Sequence, residues 1–315
     1  MSLQSRKIAL VGGGQIGTAL ALMITQKDHA EVVIVDLPKA VDPIRGKALD
    51  IMALRPHAGV DVEITATSDY TEIADAEVVI VTAGIPRKAG MSRNDLLEIN
   101  RGVIESVAKQ VAQHAPNAFV VLSTNPVDTM CQVFQRHSGF PKSRVIGLSG
   151  ALDSGRFRLF IAMETGFSAK DVSCMVMGGH GPAMIPLTRT ATVGGIPIQT
   201  LLSEQKIEEI VERTRHAGTE IVQLLGQGSA YISPASAIME MVEAYLYNKK
   251  RLIASSVLCE GEYGINDCFI GVPCVIGSGG VEKIVEMELT RSEQEQLQHN
   301  YQVLQENLEQ IAEEN

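Results

Sequence analysis

Short apolar runs recur along the first half of the chain, and longer stretches with helical spacing separate them. The runs cover residues 7–11, 32–35, 60–64, 77–81, 119–122 and 145–147. Strands that are buried on both faces form continuous apolar runs of this kind. Because strands that alternate with helices are typical of parallel sheets with right-handed crossovers, we predict a doubly wound α/β sheet. Its helices are expected over 19–24, 43–55 (ended by Pro56) and 94–114.

The second half follows a different pattern. Helical spacing predicts helices over 149–165, 206–225 and 235–247. Apolar alternation predicts strands over 173–177, 252–259, 268–276 and 281–286, of which the last three are expected to be antiparallel. We therefore predict two domains, with the parallel sheet in residues 1–148 and a second, α+β domain in residues 149–315.

The chain ends in a predicted amphipathic helix. The segment from Thr290 to Glu293 has the spacing of a capping box, which starts helices. Apolar residues then recur at intervals of four and three, namely Leu297, Tyr301, Leu304, Leu308 and Ile311. Such a stripe packs either on the body of the protein or on a partner subunit.

Glycines follow the first apolar run in the order G-x-G-x-x-G. Gly12 permits a tight turn, Gly14 lets the backbone approach a pyrophosphate, and Gly17 lets a helix pack closely on its strand. The N–H groups at the start of that helix attract phosphates. We therefore predict a Rossmann dinucleotide site at Gly12, Gly13, Gly14, Gln15, Ile16 and Gly17, with a ligand-free α/β turn as the alternative.

Asp36 ends the second predicted strand, about 20 residues beyond the glycines, as the dinucleotide fingerprint requires. A carboxylate at this point accepts hydrogen bonds from the ribose hydroxyls and repels a 2′-phosphate. The sequence therefore predicts NAD rather than NADP as the cofactor.

Composition and charge narrow the range of partners. The 315 residues carry a net charge of −10 and no basic stripe, which argues against a nucleic-acid partner. The five cysteines are odd in number and include no C-x-x-C pair, as expected for buried thiols in a reducing compartment rather than disulfides or a metal cluster. We expect no signal peptide and no membrane span, hence a cytoplasmic protein.

Polar residues that could bind a substrate follow two of the predicted strands. A loop with three cations, among them Arg87 and Arg93, follows the fourth strand; it is either a solvated loop or a lid that brings guanidinium groups onto a carboxylate. Asn125 ends the fifth strand, where its amide either orients a substrate oxygen or forms an Asn-Pro turn.

Three candidate functional residues lie in the second half of the chain. Asp153 and Arg156 are three residues apart and share a helix face, which also fits a surface ion pair. His180 stands between glycines that expose its imidazole to a cleft, although a turn histidine without a role has the same surroundings.

Together these motifs resemble the lactate/malate dehydrogenase family over nearly the whole chain, and most closely its malate branch. They comprise residues 12–17 with Asp36, 82–87, 92–93, 124–126, 152–157 and 178–181, with further similarity at 46–50 and 260–264. The resemblance implies an NAD-dependent enzyme that interconverts malate and oxaloacetate without a metal. It also implies a homo-oligomer, either a tetramer or a dimer, and a cis peptide bond between Asn125 and Pro126.

The resemblance also implies a role for each candidate residue. His180 would be the general acid/base and Asp153 would fix its tautomer. Arg156 would bind the C1 carboxylate, Arg93 would polarise the reacting carbonyl, and Arg87 would occupy the position that selects the substrate. Asn125 would contact both substrate and cofactor, and with Asn100, Ser123 and Thr124 it would line the nicotinamide side.

Three other functions fit parts of the sequence. A lactate or other 2-hydroxy acid dehydrogenase is the first, although Arg87 facing a methyl group would be an unpaired buried charge costing about 3–5 kcal/mol. A non-catalytic NAD sensor is the second, but it has no need of Asp153 and His180. An NAD-dependent glycosidase with a Cys and His metal site is the third, and only Cys174 lies near His180 in sequence.

Overall fold

The computed structural model describes residues 6–86 and 93–313. Its first half alternates strands with helices: β1 (Lys7–Val11), α1 (Gln15–Gln26), β2 (Glu31–Val35), α2 (Val41–Met52), α3 (Arg55–Ala58), β3 (Ile64–Thr67), β4 (Val78–Val81), α4 (Arg93–His114), β5 (Phe119–Leu122), α5 (Val127–Ser138) and β6 (Val145–Gly147).

The second half is more varied. It contains α6 (Gly150–Thr165), β7 (Val172–Ser173), β8 (Val176–Met177), β9 (Ile185–Pro186), β10 (Thr192–Val193), β11 (Ile196–Pro197), α7 (Ile198–Leu201), α8 (Glu204–Leu225), α9 (Ile232–Leu246), β12 (Arg251–Glu260), β13 (Asn266–Gly277), β14 (Gly280–Ile284) and α10 (Arg291–Glu313).

In the described residues, one large sheet runs through both halves in the order β14-β13-β12-β6-β5-β4-β1-β2-β3. The six strands of the first half are parallel in the order 3-2-1-4-5-6, as in doubly wound dinucleotide-binding folds. The predicted fold class is therefore confirmed. The predicted antiparallel strands are also present, and they extend this sheet from its β6 edge.

The junction between the two halves depends on a glycine. Ser256 of β12 pairs with Gly147 of β6. A Cβ on Gly147 would stand 2.6 Å from Cys131 Sγ and 2.8 Å from the Ser256 Cβ. Only a residue without a side chain lets β12 approach β6 this closely, so Gly147 allows the strands of the second half to extend the sheet beside β6.

The core lies on both faces of the sheet. Along β1, Ile8 and Leu10 pack with α1, α2 and α9 on one face, whereas Ala9 and Val11 pack with α4 and α5 on the other. Burial on both faces is why these strands contain continuous apolar runs.

Three predictions about the elements were wrong. Pro56 does not end a helix: it lies in the first turn of α3, where proline is tolerated because its missing N–H would be unpaired there anyway. The third strand covers Ile64–Thr67 rather than 60–64 and lies at the edge of the sheet. Ile64 and Ala66 are buried, whereas Thr65 between them is exposed, so the strand alternates instead of forming a continuous apolar run. The single strand predicted over 173–177 is instead two short strands, β7 (Val172–Ser173) and β8 (Val176–Met177), that belong to different small sheets.

The C-terminal helix packs on the body, one of the two arrangements expected. Leu297 and Leu304 are buried in the main core. The capping box is present: Glu293 N donates to Thr290 Oγ1 at 3.2 Å, and Thr290 N donates to the Glu293 carboxylate at 2.8 Å. None of the helices in the described ranges has the length and hydropathy that a bilayer crossing requires.

Candidate active site

The glycine loop has the close contacts that its spacing requires. Gly12 has a φ of +111°, and a Cβ there would lie 2.6 Å from Thr82 Oγ1. A Cβ on Gly17 would lie 2.0 Å from the Gly12 carbonyl oxygen. A Cβ on Gly14 would meet no atom of the described residues within 4 Å. The space in front of Gly14 and the start of α1 is therefore left to a ligand, as a pyrophosphate site needs.

Asp36 ties the end of β2 to this loop. Its Oδ2 accepts a hydrogen bond from Gly13 N at 2.7 Å, and its Oδ1 accepts one from Leu37 N at 2.7 Å. A carboxylate has about four acceptor sites, so two remain for ribose hydroxyls. The residue thus orients the loop and keeps the capacity to bind a ribose.

The ends of β4 and β5 are joined by polar side chains. Asn100 is fully buried: its Oδ1 accepts from Ile85 N at 2.8 Å and its Nδ2 donates to the Asn125 carbonyl at 2.8 Å. Thr124 Oγ1 donates to the Ala83 carbonyl at 2.6 Å. These side chains shape the edge of the cleft, and their contact with the nicotinamide remains a prediction, as it does for Ser123. The peptide bond between Asn125 and Pro126 is cis, as expected.

His180, Asp153 and Arg156 converge, although His180 is 27 residues from Asp153 in sequence. Asp153, on α6, is only 1% exposed, and its Oδ2 lies 2.7 Å from His180 Nδ1. Its Oδ1 accepts from Arg156 Nη1 at 3.3 Å. A surface ion pair is thereby excluded, because the carboxylate is buried between the two cationic groups. The contact at Nδ1 leaves His180 Nε2 to act on a substrate.

The pKa of His180 is raised above its ordinary value. Burial of the ring favours the neutral imidazole, but the charge of Asp153 and its hydrogen bond to the ring outweigh that effect. Arg156 opposes the rise and Asp128 supports it. The imidazolium therefore persists to higher pH than it would in water.

The guanidinium of Arg156 is largely buried, and in the described part of the chain not all of its hydrogen-bond donors have a partner. Its side chain is 10% exposed, and burial lowers the pKa of the guanidinium although Asp153 opposes this. Within the described residues its Nε is buried without a hydrogen-bond partner. Buried polar groups are ordinarily satisfied, so an oxyanion ligand is the natural partner for this group.

Two residues beside His180 were not anticipated from the sequence. Asp128, on α5, is buried and its Oδ2 accepts from His180 N at 3.3 Å; burial raises the pKa of this carboxyl. Asn300, on α10, accepts from Gly179 N at 3.0 Å through Oδ1. The only available signal was a polar residue next to an apolar stripe, which most often marks an exposed position.

Two predicted substrate residues are not tested by the structure. Arg87 lies outside the described residues. Arg93 begins α4, but its side chain is likewise outside the described part of the chain. Among the described residues, no group of three or more His, Cys, Asp or Glu side chains is arranged to hold a metal ion.

The fold and the site define a class of protein. A doubly wound sheet, a glycine loop before α1, an acidic residue at the end of β2 and a buried His–Asp pair are the parts of an NAD-dependent dehydrogenase.

Comparison with known families gives the particular group. A model described as lactate/malate dehydrogenase, NAD binding domain, matches residues 6–147, and one described as lactate/malate dehydrogenase, alpha/beta C-terminal domain, matches residues 150–315. The chain belongs to the lactate/malate dehydrogenase family. The predicted family, the NAD cofactor and the assignment as an oxidoreductase are thus confirmed.

Individual relatives are similar along their full length. A malate dehydrogenase of Halalkalibacterium halodurans is 49% identical over 293 residues, which cover 93% of this chain and 93% of that protein. The crystal structure of Cryptosporidium parvum malate dehydrogenase has a TM-score of 0.94 and 38% identity, over 98% of this chain and 100% of that one. A lactate dehydrogenase from Eimeria maxima, solved with NADH and oxamate, has a TM-score of 0.94 and 38% identity, covering 99% and 96%.

The glycine contacts predict different effects on stability for two similar substitutions. Gly14→Ala should weaken NADH binding at least about tenfold, or ~1.4 kcal/mol, and leave the melting temperature unchanged, because the new methyl group meets only the ligand. Gly17→Ala should lower both, because its methyl group collides with the Gly12 carbonyl. Fluorescence titration and thermal unfolding measure the two effects. Unaltered NADH affinity in Gly14→Ala would show that no pyrophosphate lies there.

Proposed function

We propose that this chain is an NAD-dependent malate dehydrogenase, which transfers a hydride reversibly between malate and NAD. The supporting observation is the buried Asp153 carboxylate, which contacts both His180 and Arg156. One carboxylate thereby holds a proton donor and a carboxylate-binding cation side by side. The names of the relatives support malate as the substrate.

The described residues account for binding and proton transfer. Arg156 binds the C1 carboxylate of the substrate with its unsatisfied donors. The glycine loop and Asp36 would hold the cofactor, which when bound would supply a hydride for C2 of oxaloacetate. His180 donates a proton from Nε2 to the carbonyl oxygen during reduction and takes it back during oxidation. Asp153 fixes the tautomer and stabilises the imidazolium.

The remaining roles come from the sequence. Arg93 would stabilise the charge that develops on the reacting oxygen. Arg87 would pair with the C4 carboxylate, the group that distinguishes oxaloacetate from pyruvate. Asn125 would hydrogen-bond the substrate beside the nicotinamide. We include these assignments in the proposal because two carboxylates and a developing alkoxide require more than one cation.

The raised pKa of His180 predicts opposite pH profiles for the two directions. Reduction needs imidazolium, so its rate should hold below the His180 pKa and fall as the pH rises through it. Oxidation needs neutral imidazole and should show the reverse. Asp153→Asn should lower the rate by about 10²–10⁴-fold and move both transitions to lower pH, because the charge that raises the pKa is gone.

Steady-state rates across the pH range, in each direction, measure this effect. Glu164→Gln is the matched control, since it neutralises an exposed carboxylate on the same helix. Its profiles should equal those of the wild type. Identical profiles in the two directions for the wild type would contradict the role given to His180.

The substrate assignment is tested by NADH oxidation with oxaloacetate, pyruvate and 2-oxoglutarate. Oxaloacetate should be preferred. Faster turnover of pyruvate would replace the proposal with the lactate alternative, and no turnover of any 2-oxo acid would favour a non-catalytic NAD sensor.

Arg87→Gln should change that preference. The variant removes the partner of the C4 carboxylate, so oxaloacetate efficiency should fall by about 10²–10⁴-fold, as expected for ~3–5 kcal/mol. Pyruvate reduction should improve because the unpaired charge against its methyl group is gone. NADH binding should not change. Lys88→Gln, which removes a neighbouring cation, is the control, and an unchanged oxaloacetate-to-pyruvate ratio in Arg87→Gln would remove Arg87 as the selecting residue.

We also propose that the protein is a homo-oligomer. A groove of about 1160 Å³ lies along α6, α8 and α9, and is lined by Met163, Ile232 and Leu252, all three strongly exposed. Charged residues of both signs line it as well, including Arg213 with Glu220. Apolar patches of this kind mark interaction sites, and a second copy of the chain is the occupant that the family resemblance implies.

A cytoplasmic location, consistent with five free cysteines, completes the proposal.

Sedimentation velocity tests the assembly. The wild type should sediment as a dimer or tetramer, and Met163→Asp should shift it toward monomer because a charge would enter the groove. Phe167→Asp is the control. It places the same charge on an exposed apolar residue that is close to Met163 in sequence but does not line the groove. A monomeric wild type at micromolar concentration would contradict the proposal.

A further inference from the structure

The acid/base residue stands in a segment with little stiffness of its own. His180 lies in the connection between β8 and β9, preceded by Gly178 and Gly179 and followed by Gly181. Gly178 has a φ of +84°. Glycine restricts the backbone less than any other residue, so contacts from outside the segment must hold the imidazole in place.

Asn300 of α10 contacts this segment on both sides of His180. Its Oδ1 accepts a hydrogen bond from Gly179 N at 3.0 Å, one residue before the histidine. Its Nδ2 donates to the Ala183 carbonyl at 3.0 Å, three residues after it. The same Nδ2 donates to the Gln296 carbonyl of its own helix at 2.8 Å. One side chain thus joins the two limbs of the segment to the C-terminal helix.

Only a side-chain amide on a side chain as short as that of asparagine can form these three hydrogen bonds. The oxygen accepts from one backbone N–H, and the NH₂ group offers two donors to two carbonyls. Asn300 is 5% exposed, so water cannot easily replace a lost partner. Removing one partner of a buried hydrogen bond leaves the other with its desolvation cost. Loss of the amide would therefore free Gly179 and Ala183 together.

Other contacts hold the segment from different directions. Asp128 of α5 accepts from His180 N at 3.3 Å, and Ser149 Oγ donates to the Gly178 carbonyl at 3.3 Å. Gly178 N also donates to the Gly271 carbonyl of β13 at 2.8 Å. All three act before or at His180. After it, Arg215 of α8 donates to the Met184 carbonyl at 3.4 Å, and Asn300 is the residue that holds the segment on both sides.

We propose that Asn300 is a positioning residue for proton transfer: by bridging Gly179 and Ala183 it fixes His180 against Asp153 and makes docking of the C-terminal helix a condition of full activity. The inference rests on the proposed function, in which His180 exchanges the proton. Asn300 itself touches neither substrate nor cofactor.

A positioning role has a consequence that a stabilising role lacks. The charged groups that face His180 are Asp153 and Arg156 from α6 and Asp128 from α5. The Asp153 contact raises the pKa of His180, and the raised value depends on the 2.7 Å geometry. A segment released from Asn300 would hold that distance less well, so the reduction profile would fall off at lower pH.

The test uses the full-length enzyme with Asn300→Leu, which keeps the number and branching of the side-chain heavy atoms and removes every polar atom. We expect kcat for oxaloacetate reduction to drop by about 10–100-fold, as for other residues that orient a catalytic group. The pH at which reduction declines should move downward. The KM for oxaloacetate should change little because Arg156 is untouched, and NADH binding should be that of the wild type.

Asn307→Leu is the matched control. Asn307 is also buried, seven residues further along α10 and therefore on nearly the same face. This variant should lower the melting temperature without altering kcat or the pH profile. Asn300→Ser, which adds no bulk and retains a hydroxyl, should show a smaller loss of kcat than Asn300→Leu.

Two results would overturn the inference. The first is a wild-type kcat and pH profile in Asn300→Leu, with only thermal stability reduced. The second is failure of both Asn300 variants to fold while Asn307→Leu folds, since Asn300 would then serve stability alone. Failure of the proposed function is distinguishable, because the wild type would then not reduce oxaloacetate at all.

Discussion

The buried carboxylate of Asp153 is the constraint on which the site depends. It is 1% exposed and lies between a histidine and an arginine. Removing one partner of a buried ion pair costs about 3–5 kcal/mol, so His180 and Arg156 each depend on Asp153, and the buried carboxylate depends on these two partners. This arrangement explains how an imidazole that burial would neutralise retains its proton, and how a guanidinium is kept in a largely buried position.

The fold supplies these groups from the second half but places them where the first half binds its ligand. In parallel α/β sheets, ligands bind beyond the carboxyl ends of the strands. β12 joins the sheet at Gly147, so α6, which starts three residues later, leaves from that same edge. The glycine loop lies at the end of β1, which is separated from β6 by β5 and β4, and it contacts Thr82 just after β4. A single continuous sheet therefore sets the distance between the glycine loop and the Asp153–His180 pair.

Much of this could be predicted from the sequence, for physical reasons that differ between residues. Strands buried on both faces leave unbroken apolar runs, and close glycine contacts leave a fixed spacing, so β1 and the loop before α1 were found with their bounds nearly correct. The pairing of Asp153 with His180 was implied by family resemblance alone, because no local pattern links residues in different elements. Asp128 and Asn300 were missed since a polar residue on an amphipathic helix is exposed in most proteins. The helix that carries Asp128 was also missed.

The electrostatics of the whole chain make local cations indispensable. A net charge of −10 repels a dicarboxylate at long range. Binding must therefore come from charges within a few ångströms, in surroundings where water does not screen them. Arg156 meets that condition: it is largely buried, and Asp153 takes up only part of its donor capacity. A second cation that stayed in water would add little to substrate affinity. Enclosed with the substrate, it would discriminate strongly between a substrate that offers it a carboxylate and one that does not, because an unpaired charge is costly only where water is excluded. Discrimination between substrates of different charge is thus greatest where a site is closed to water, as the surroundings of the buried Asp153 carboxylate already are.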